Sequence, residues 1–407
     1  MSLFANSSTF VIANRRFLGF GLLMTLGSSF GQTFFISLFS ADIRNRFGLS
    51  HGDFGNIYAI ATLSSAISLI WLGRKIDDLD LRAFCFFITL GLGVACLTMA
   101  WAPSVLFLGI AIYLLRLFGQ GLMGHASSTS MARYYERSRG LALSVSILGY
   151  PLGEATLPLV TVTLLTFIGT SKAWYIFAAI VFCILTPLVQ ALLIGHGERH
   201  RNHQERMLAT PTTDVSDRQW SRRDVLSDPK FYVILLVVLA PSFIATGLFF
   251  HQVHLVEVKG WELSWLATCF IAFAASQLAA GLVAGGLVDR ANATRLLPWF
   301  LLPMTCALVV LGSFDHPLSA LAYMILMGIT SGAAATITAA LWAEIYGVSH
   351  LGSIRAMATA LMVCSTALSP ATLGWFIDGG VSMNTLALYM AAYTAAASIF
   401  TGIWFRK

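Results

Sequence analysis

The chain has 407 residues, 57% of them hydrophobic and only 11% charged, with a mean hydropathy of +0.76. A water-soluble domain carries about 45–50% apolar and about 25% charged residues, so this composition excludes one and calls for an integral membrane protein. The formal charge of +6 is then no sign of a nucleic-acid partner, because the positive-inside rule places such charge in loops.

Apolar runs of spanning length recur along the chain. Arg15 and Arg16 precede the first, 17–41, which is too long for a signal-peptide core and long enough to cross a bilayer. Five more follow at 54–72, 83–101, 104–131, 140–166 and 173–194. After a polar stretch come 231–256, 263–287, 295–313, 317–342, 354–377 and 384–405. No segment shows the ten-residue alternation of an outer-membrane barrel strand. The expected fold is all-α: twelve transmembrane helices in two pseudo-symmetric six-helix halves. Residues 1–195 form the first half, 196–230 a cytoplasmic linker, and 231–407 the second half.

Charge placement orients the helices. With both termini cytoplasmic, all but five of the 25 Lys and Arg fall on the cytoplasmic side. Arg44, Arg46, Lys172 and Lys259 fall outside, and Arg116 falls within a helix. The expected location is a bacterial inner membrane. His196, His200 and His203 read as part of a solvated linker rather than a metal site. The six cysteines sit in apolar runs without metal or redox spacing and read as small packing residues.

The chain repeats itself. Gly73-Arg74-Lys75-Ile76-Asp77 follows the second helix, and Gly285-Gly286-Leu287-Val288-Asp289, with Arg290 next, follows the eighth. Both read G-x-x-x-D at a helix end, as duplicated halves would. The glycine lets a neighbouring helix approach, and the aspartate can accept from another helix N-terminus. Such a contact can break and re-form, so Gly73, Asp77, Gly285, Asp289 and Arg290 are candidate gating residues.

On these loops the chain resembles the major facilitator superfamily over essentially its full length. Arg139-Gly140 and the glycines Gly140, Gly149 and Gly153 are similar to the family's fifth-helix pattern associated with antiporters, with Glu154 where that motif has proline. Arg116-Leu117-Phe118-Gly119-Gln120-Gly121 resembles its fourth-helix arginine motif, the glycines coming one residue earlier. The resemblance implies alternating access, a site between the halves near the midplane, and a monomer.

Arg116 lies near the midplane, where a charge costs several kcal/mol and rarely faces lipid. Its guanidinium suits a carboxylate or phosphate. Glu154 lies at similar depth on the next helix, and an Arg116–Glu154 ion pair is geometrically plausible. Packing roles are the alternative for both. His251 and His254, three apart on one helix face, could relay protons. Gln32, Tyr58, Tyr150 and Gln277 could hydrogen-bond a substrate or a neighbouring helix. No nucleotide-binding, metal-ligand or catalytic constellation appears, so neither an enzyme nor a cofactor is expected. Two functions compete: a secondary transporter of a small organic anion such as a carboxylate, with or without proton coupling, and a proton-coupled exporter of amphipathic drugs or metabolites.

Overall fold

The computed structural model describes residues 9–135, 138–201, 222–347 and 351–405. Most of the polar linker, 202–221, lies outside the described residues, as do Arg406 and Lys407. Every regular element among the described residues is helical. The first span, α1, is bent by 46° between Arg15–Gly31 and Thr33–Phe47. It is followed by α2 (His51–Leu72), α3 (Leu81–Trp101), α4 (Val105–Tyr134), α5 (Arg139–Ile168) and α6 (Thr170–Leu192). Then come α7 (Pro229–Phe250), α8 (Leu263–Ala291), α9 (Leu302–Ser313), α10 (Pro317–Tyr346), α11 (Leu351–Asp378) and α12 (Met383–Trp404). Ten of these are long and apolar enough to cross a membrane, and the bent α1 makes an eleventh. The twelfth, α9, has 12 residues and follows a turn at 297–301. The spans carry large apolar side chains in the open, Phe167 at 80% and Leu282 at 81% exposure. Only a hydrocarbon surrounding makes such a surface stable.

Local chemistry sets the helix ends. The Asp80 carboxylate accepts from the backbone N–H of Arg82 and Ala83 to start α3, and Asp228 accepts from Lys230 to start α7. Gly48 and Gly260 close the helices before them in the left-handed region, at φ 63° and 65°, which only glycine enters cheaply.

By internal contact the chain falls into two compact units. One comprises Met1–Ile36 and Ile60–Asp214; the other comprises Ser37–Ala59 and Val215–Lys407. The second unit therefore takes in residues 37–59, which a division at 195 assigns to the first half. Glycine-mediated contact and hydrogen bonds to α7, the short helix Gln252–Lys259 and α11 hold that hairpin there. Ser37 Oγ donates to Phe249 O at 2.7 Å, and Gln252 Nε2 donates to Ser37 Oγ at 2.8 Å.

Within the first unit, Phe35 meets Trp174 and Phe177 edge-on at 5.4 and 5.1 Å, giving an aromatic core between α1 and α6. Within the second, α8 and α10 run together on glycines. A methyl at Gly328 would strike Ser276 Oγ, and one at Gly332 would strike the Gln277 carbonyl. The cysteines divide evenly. Cys85, Cys96 and Cys269 are buried as expected, whereas Cys183, Cys306 and Cys364 are exposed and do not pack the interior.

Candidate functional site

In the first unit the candidate site is built around two irregular backbones. Between the limbs of α1, Gln32 is extended (ψ 152°). Opposite, residues Leu115–Met123 of α4 are π-helical, a form that recurs at functional sites. The two touch through glycine. A methyl at Gly31 would collide with the Leu115 carbonyl and the Gln120 amide, and one at Gly119 would lie 2.8 Å from Gly31 Cα. This contact brings Arg116, 3% exposed, against α1, where its Nη1 donates to the Gly31 carbonyl at 3.1 Å.

Helix α5 reaches the same place because Gly149 and Gly153 leave room for Thr25 and Ser29 of α1. Tyr150 and Glu154, one turn apart, follow from that approach. The Tyr150 hydroxyl reaches α4 at Gly124, where a methyl would lie 2.6 Å from it. Gln32 Nε2 lies 3.5 Å from Ser28 Oγ. Glu154 is half-buried; its Oε2 is shielded from solvent and accepts no hydrogen bond. Glu154 has no ion-pair partner among the described residues, so the Arg116–Glu154 pair that the helix depths suggest is not formed. The reason is visible in the contacts: Arg116 turns toward the α1 break, where a carbonyl already receives it.

The remaining candidates lie in the second unit. Tyr58 is fully buried, its ring 4.8 Å from Phe250. Gln277 stands on the α8–α10 seam, and its buried Oε1 accepts no hydrogen bond. His251 is 2% exposed, with Nε2 3.0 Å from the Pro370 carbonyl. His254 Nδ1 lies 3.8 Å from the Glu257 carboxylate. Sequence reasoning missed the third member of this group, His51, whose ring lies 4.4 Å from His254 and 5.5 Å from His251. The legible signal was position, since His51 opens a span on the same side of the membrane as the other two. A cavity of about 620 Å³ also opens in this unit beside Tyr232, Phe243, Phe376 and Tyr389. It is apolar, and none of the candidate residues lines it. Among the described residues no three His, Cys, Asp or Glu side chains gather as a metal ion requires.

The two repeat loops behave differently. Asp77 pairs with Arg133 of α4, rather than with a helix N-terminus as expected from the motif. Arg133 also donates to Ile76 O, and His125 Nε2 lies 3.1 Å from Gly73 O. In the second copy, methyls at Gly285 and Gly286 would meet open space, so the close helix approach expected at Gly285 is not made. Asp289 and Arg290 are exposed. The following turn is held instead by Glu344 of α10, which accepts from Ala293 N at 2.7 Å and Thr294 Oγ1 at 2.6 Å. Near the linker, His196 is not solvated. It is 2% exposed and stacks on Phe17 at 5.6 Å. Burial first, then Arg199, holds its pKa down to about 4, so it is neutral at physiological pH.

The sequence profile of the Major Facilitator Superfamily matches residues 21–322, well over half of the 407. No curated protein matches the sequence. Among solved structures, the chain is similar to a bacterial homologue of the human lysosomal transporter Spinster in an inward-facing and occupied conformation. The TM-score is 0.70 at 15% identity, over 96% of each chain. It is likewise similar to a variant of the nucleoside transporter NupG, with TM-score 0.68 at 14% identity, over 96% of this chain and 100% of that one. At these identities the likeness is one of fold.

Proposed function

Because the chain belongs to the major facilitator superfamily, whose fold it shares with transporters, we propose that it is a secondary transporter for a small organic anion. A carboxylate is the best fit, moved by alternating access. The observation that carries this reading is Arg116: a guanidinium 3% exposed, at middle depth of a span, beside the break in α1. Placing such a charge at the bilayer centre costs about 2.5–3.5 kcal/mol even on the mildest scale, so its retention argues for a ligand. In the first unit, Gln32 follows Gly31, whose carbonyl receives Arg116; Tyr150 offers a hydroxyl and Glu154 a carboxyl that can take a proton. In the second unit, Tyr58 and Gln277 are the polar groups assigned to the solute, and His251 and His254 are assigned to proton coupling. Gly73, Asp77, Gly285, Asp289 and Arg290 are assigned to gating. The working form is a monomer in a bacterial inner membrane with both termini cytoplasmic.

A second reading keeps the fold and changes the cargo. Among the described residues Glu154 has no cationic partner, which suits a proton carrier in an exporter of amphipathic compounds. A thermal-shift screen separates the two. Purified protein is warmed with carboxylates, phosphates, nucleosides and lipophilic cations. A true ligand at a hundred times its Kd stabilises by about 2.7 kcal/mol. Carboxylates should raise Tm in the native protein and not in Arg116→Gln. A rise with lipophilic cations alone would hand the protein to the exporter reading.

A further inference from the structure

The hairpin 37–59 is fixed to the second unit by a contact rich in titratable groups. Helix α2 begins there, and its first amides, His51 N and Gly52 N, donate to the Asp378 carboxylate of α11 at 3.1 and 2.7 Å. Glycines make the fit close. A methyl at Gly55 would lie 2.6 Å from Ala371 Cα, and one at Gly374 would lie 2.6 Å from His51 O. Over this seam sit three imidazoles, His51 from α2 and His251 and His254 from beyond α7, in ring contact. Arg44, on the helix Ser40–Phe47, interacts with Glu257 and Asp378. Asp53, on the first turn of α2, turns to Ser50, accepting from its backbone at 3.2 Å.

The charges decide what protons do here. With neutral imidazoles the cluster holds one cation, Arg44, and two anions, Glu257 and Asp378. One added proton balances it, and His254 beside Glu257 is the natural seat. A second proton must go onto His51, in ring contact with His254, or onto His251, 2% exposed and packed edge-on against Phe250 at 5.0 Å. Like charges at that spacing in a half-buried seam repel, and separating the rings into water relieves the repulsion. The far end of the hairpin is held by Ser37 and Gln252, which do not titrate.

We propose that His51, His251 and His254 form a proton-binding latch, which holds the start of α2 against α11 while it carries at most one proton and releases it on taking a second. The latch rests on the alternating-access reading and assigns the two later histidines a structural partner, His51, and a task other than touching solute. Protons then favour the open seam by mass action, because that state binds more of them.

Hydrogen–deuterium exchange of the full-length protein in lipid nanodiscs tests this without any solute, so its failure is distinct from a failed ligand screen. Exchange is measured from pH 8 to 5 and corrected for the intrinsic pH dependence of amide exchange. Peptides covering 44–58 should lose protection by about tenfold or more as the pH falls, while those covering 125–135 hold theirs. The neighbouring Lys259–Asp315 bond, 2.6 Å long, is an internal control. Lys259, through its hydrogen bond and then its charge, holds the Asp315 carboxyl below its ordinary range. That contribution is present at pH above the ordinary carboxylate value and lost only as pH falls through the lowered one, so it stays constant in this window. His51→Gln/His254→Gln should abolish the acid loss. If the double variant does not fold, His254→Gln alone, at a half-exposed position, should make it shallower. Equal protection of 44–58 at both ends of the range, or an unchanged acid loss in either variant, overturns the latch.

Discussion

Glu154 carries a carboxyl oxygen into the interior with nothing donating to it, and this sets its response to substitution. Were it paired with Arg116, Glu154→Gln would strand a buried cation at about 3–5 kcal/mol. In the observed arrangement no such bond exists to lose, so Glu154→Gln should leave Tm unchanged or raise it. Arg116→Gln gives up a charged hydrogen bond to Gly31 O, worth about 1.5–3 kcal/mol, and should lower Tm. Melting curves of the two variants without ligand decide the matter, and a large drop in Glu154→Gln would restore the pair. Arg116, Glu154, Tyr150 and Gln32 all fall in the first unit. Partnership was not legible, because a bend in α1 and a π-helical stretch in α4 redirect the guanidinium to a carbonyl. Neither irregularity has a sequence signature as plain as proline.

The helices themselves were the most legible feature, since spanning length and apolarity survive any error of register. What the pattern could not separate is glycine that permits contact from glycine on an open helix face. Gly119 and Gly332 belong to the first kind, with backbone atoms where a methyl would stand, and Gly285 to the second. Overpacking such a contact costs about 1–3 kcal/mol. A Gly→Ala change in open helix gains up to about 1 kcal/mol through propensity. Gly119→Ala and Gly332→Ala should therefore lower Tm while Gly285→Ala holds or raises it, as circular-dichroism melts would register. Equal effects at all three positions would mean that the seams are looser than described. The repeat is thus real as sequence and unequal as structure: Asp77 is tied to Arg133, whereas its counterpart Asp289 makes no ion pair among the described residues.

At the scale of the molecule, the asymmetry of Lys and Arg makes a claim about sidedness that labelling can check. Single cysteines placed in 196–230, in a background lacking the exposed Cys183, Cys306 and Cys364, should react with impermeant maleimide only from the cytoplasmic face. Reaction in intact cells would invert the topology. Hydropathy sees helix ends and linkers but not which helix ends adhere to which neighbours. Helices α1 and α2 each change unit partway along, at Ile36–Ser37 and at Ala59–Ile60. A gene severed at the polar linker would therefore yield a second fragment missing part of its own unit, with the α11 glycine face, Phe250 and the Asp378 carboxylate left uncovered. Such fragments would have to be made together in one membrane to recover the fold, and an exchange of second halves between relatives would succeed only if residues 37–59 travelled with them.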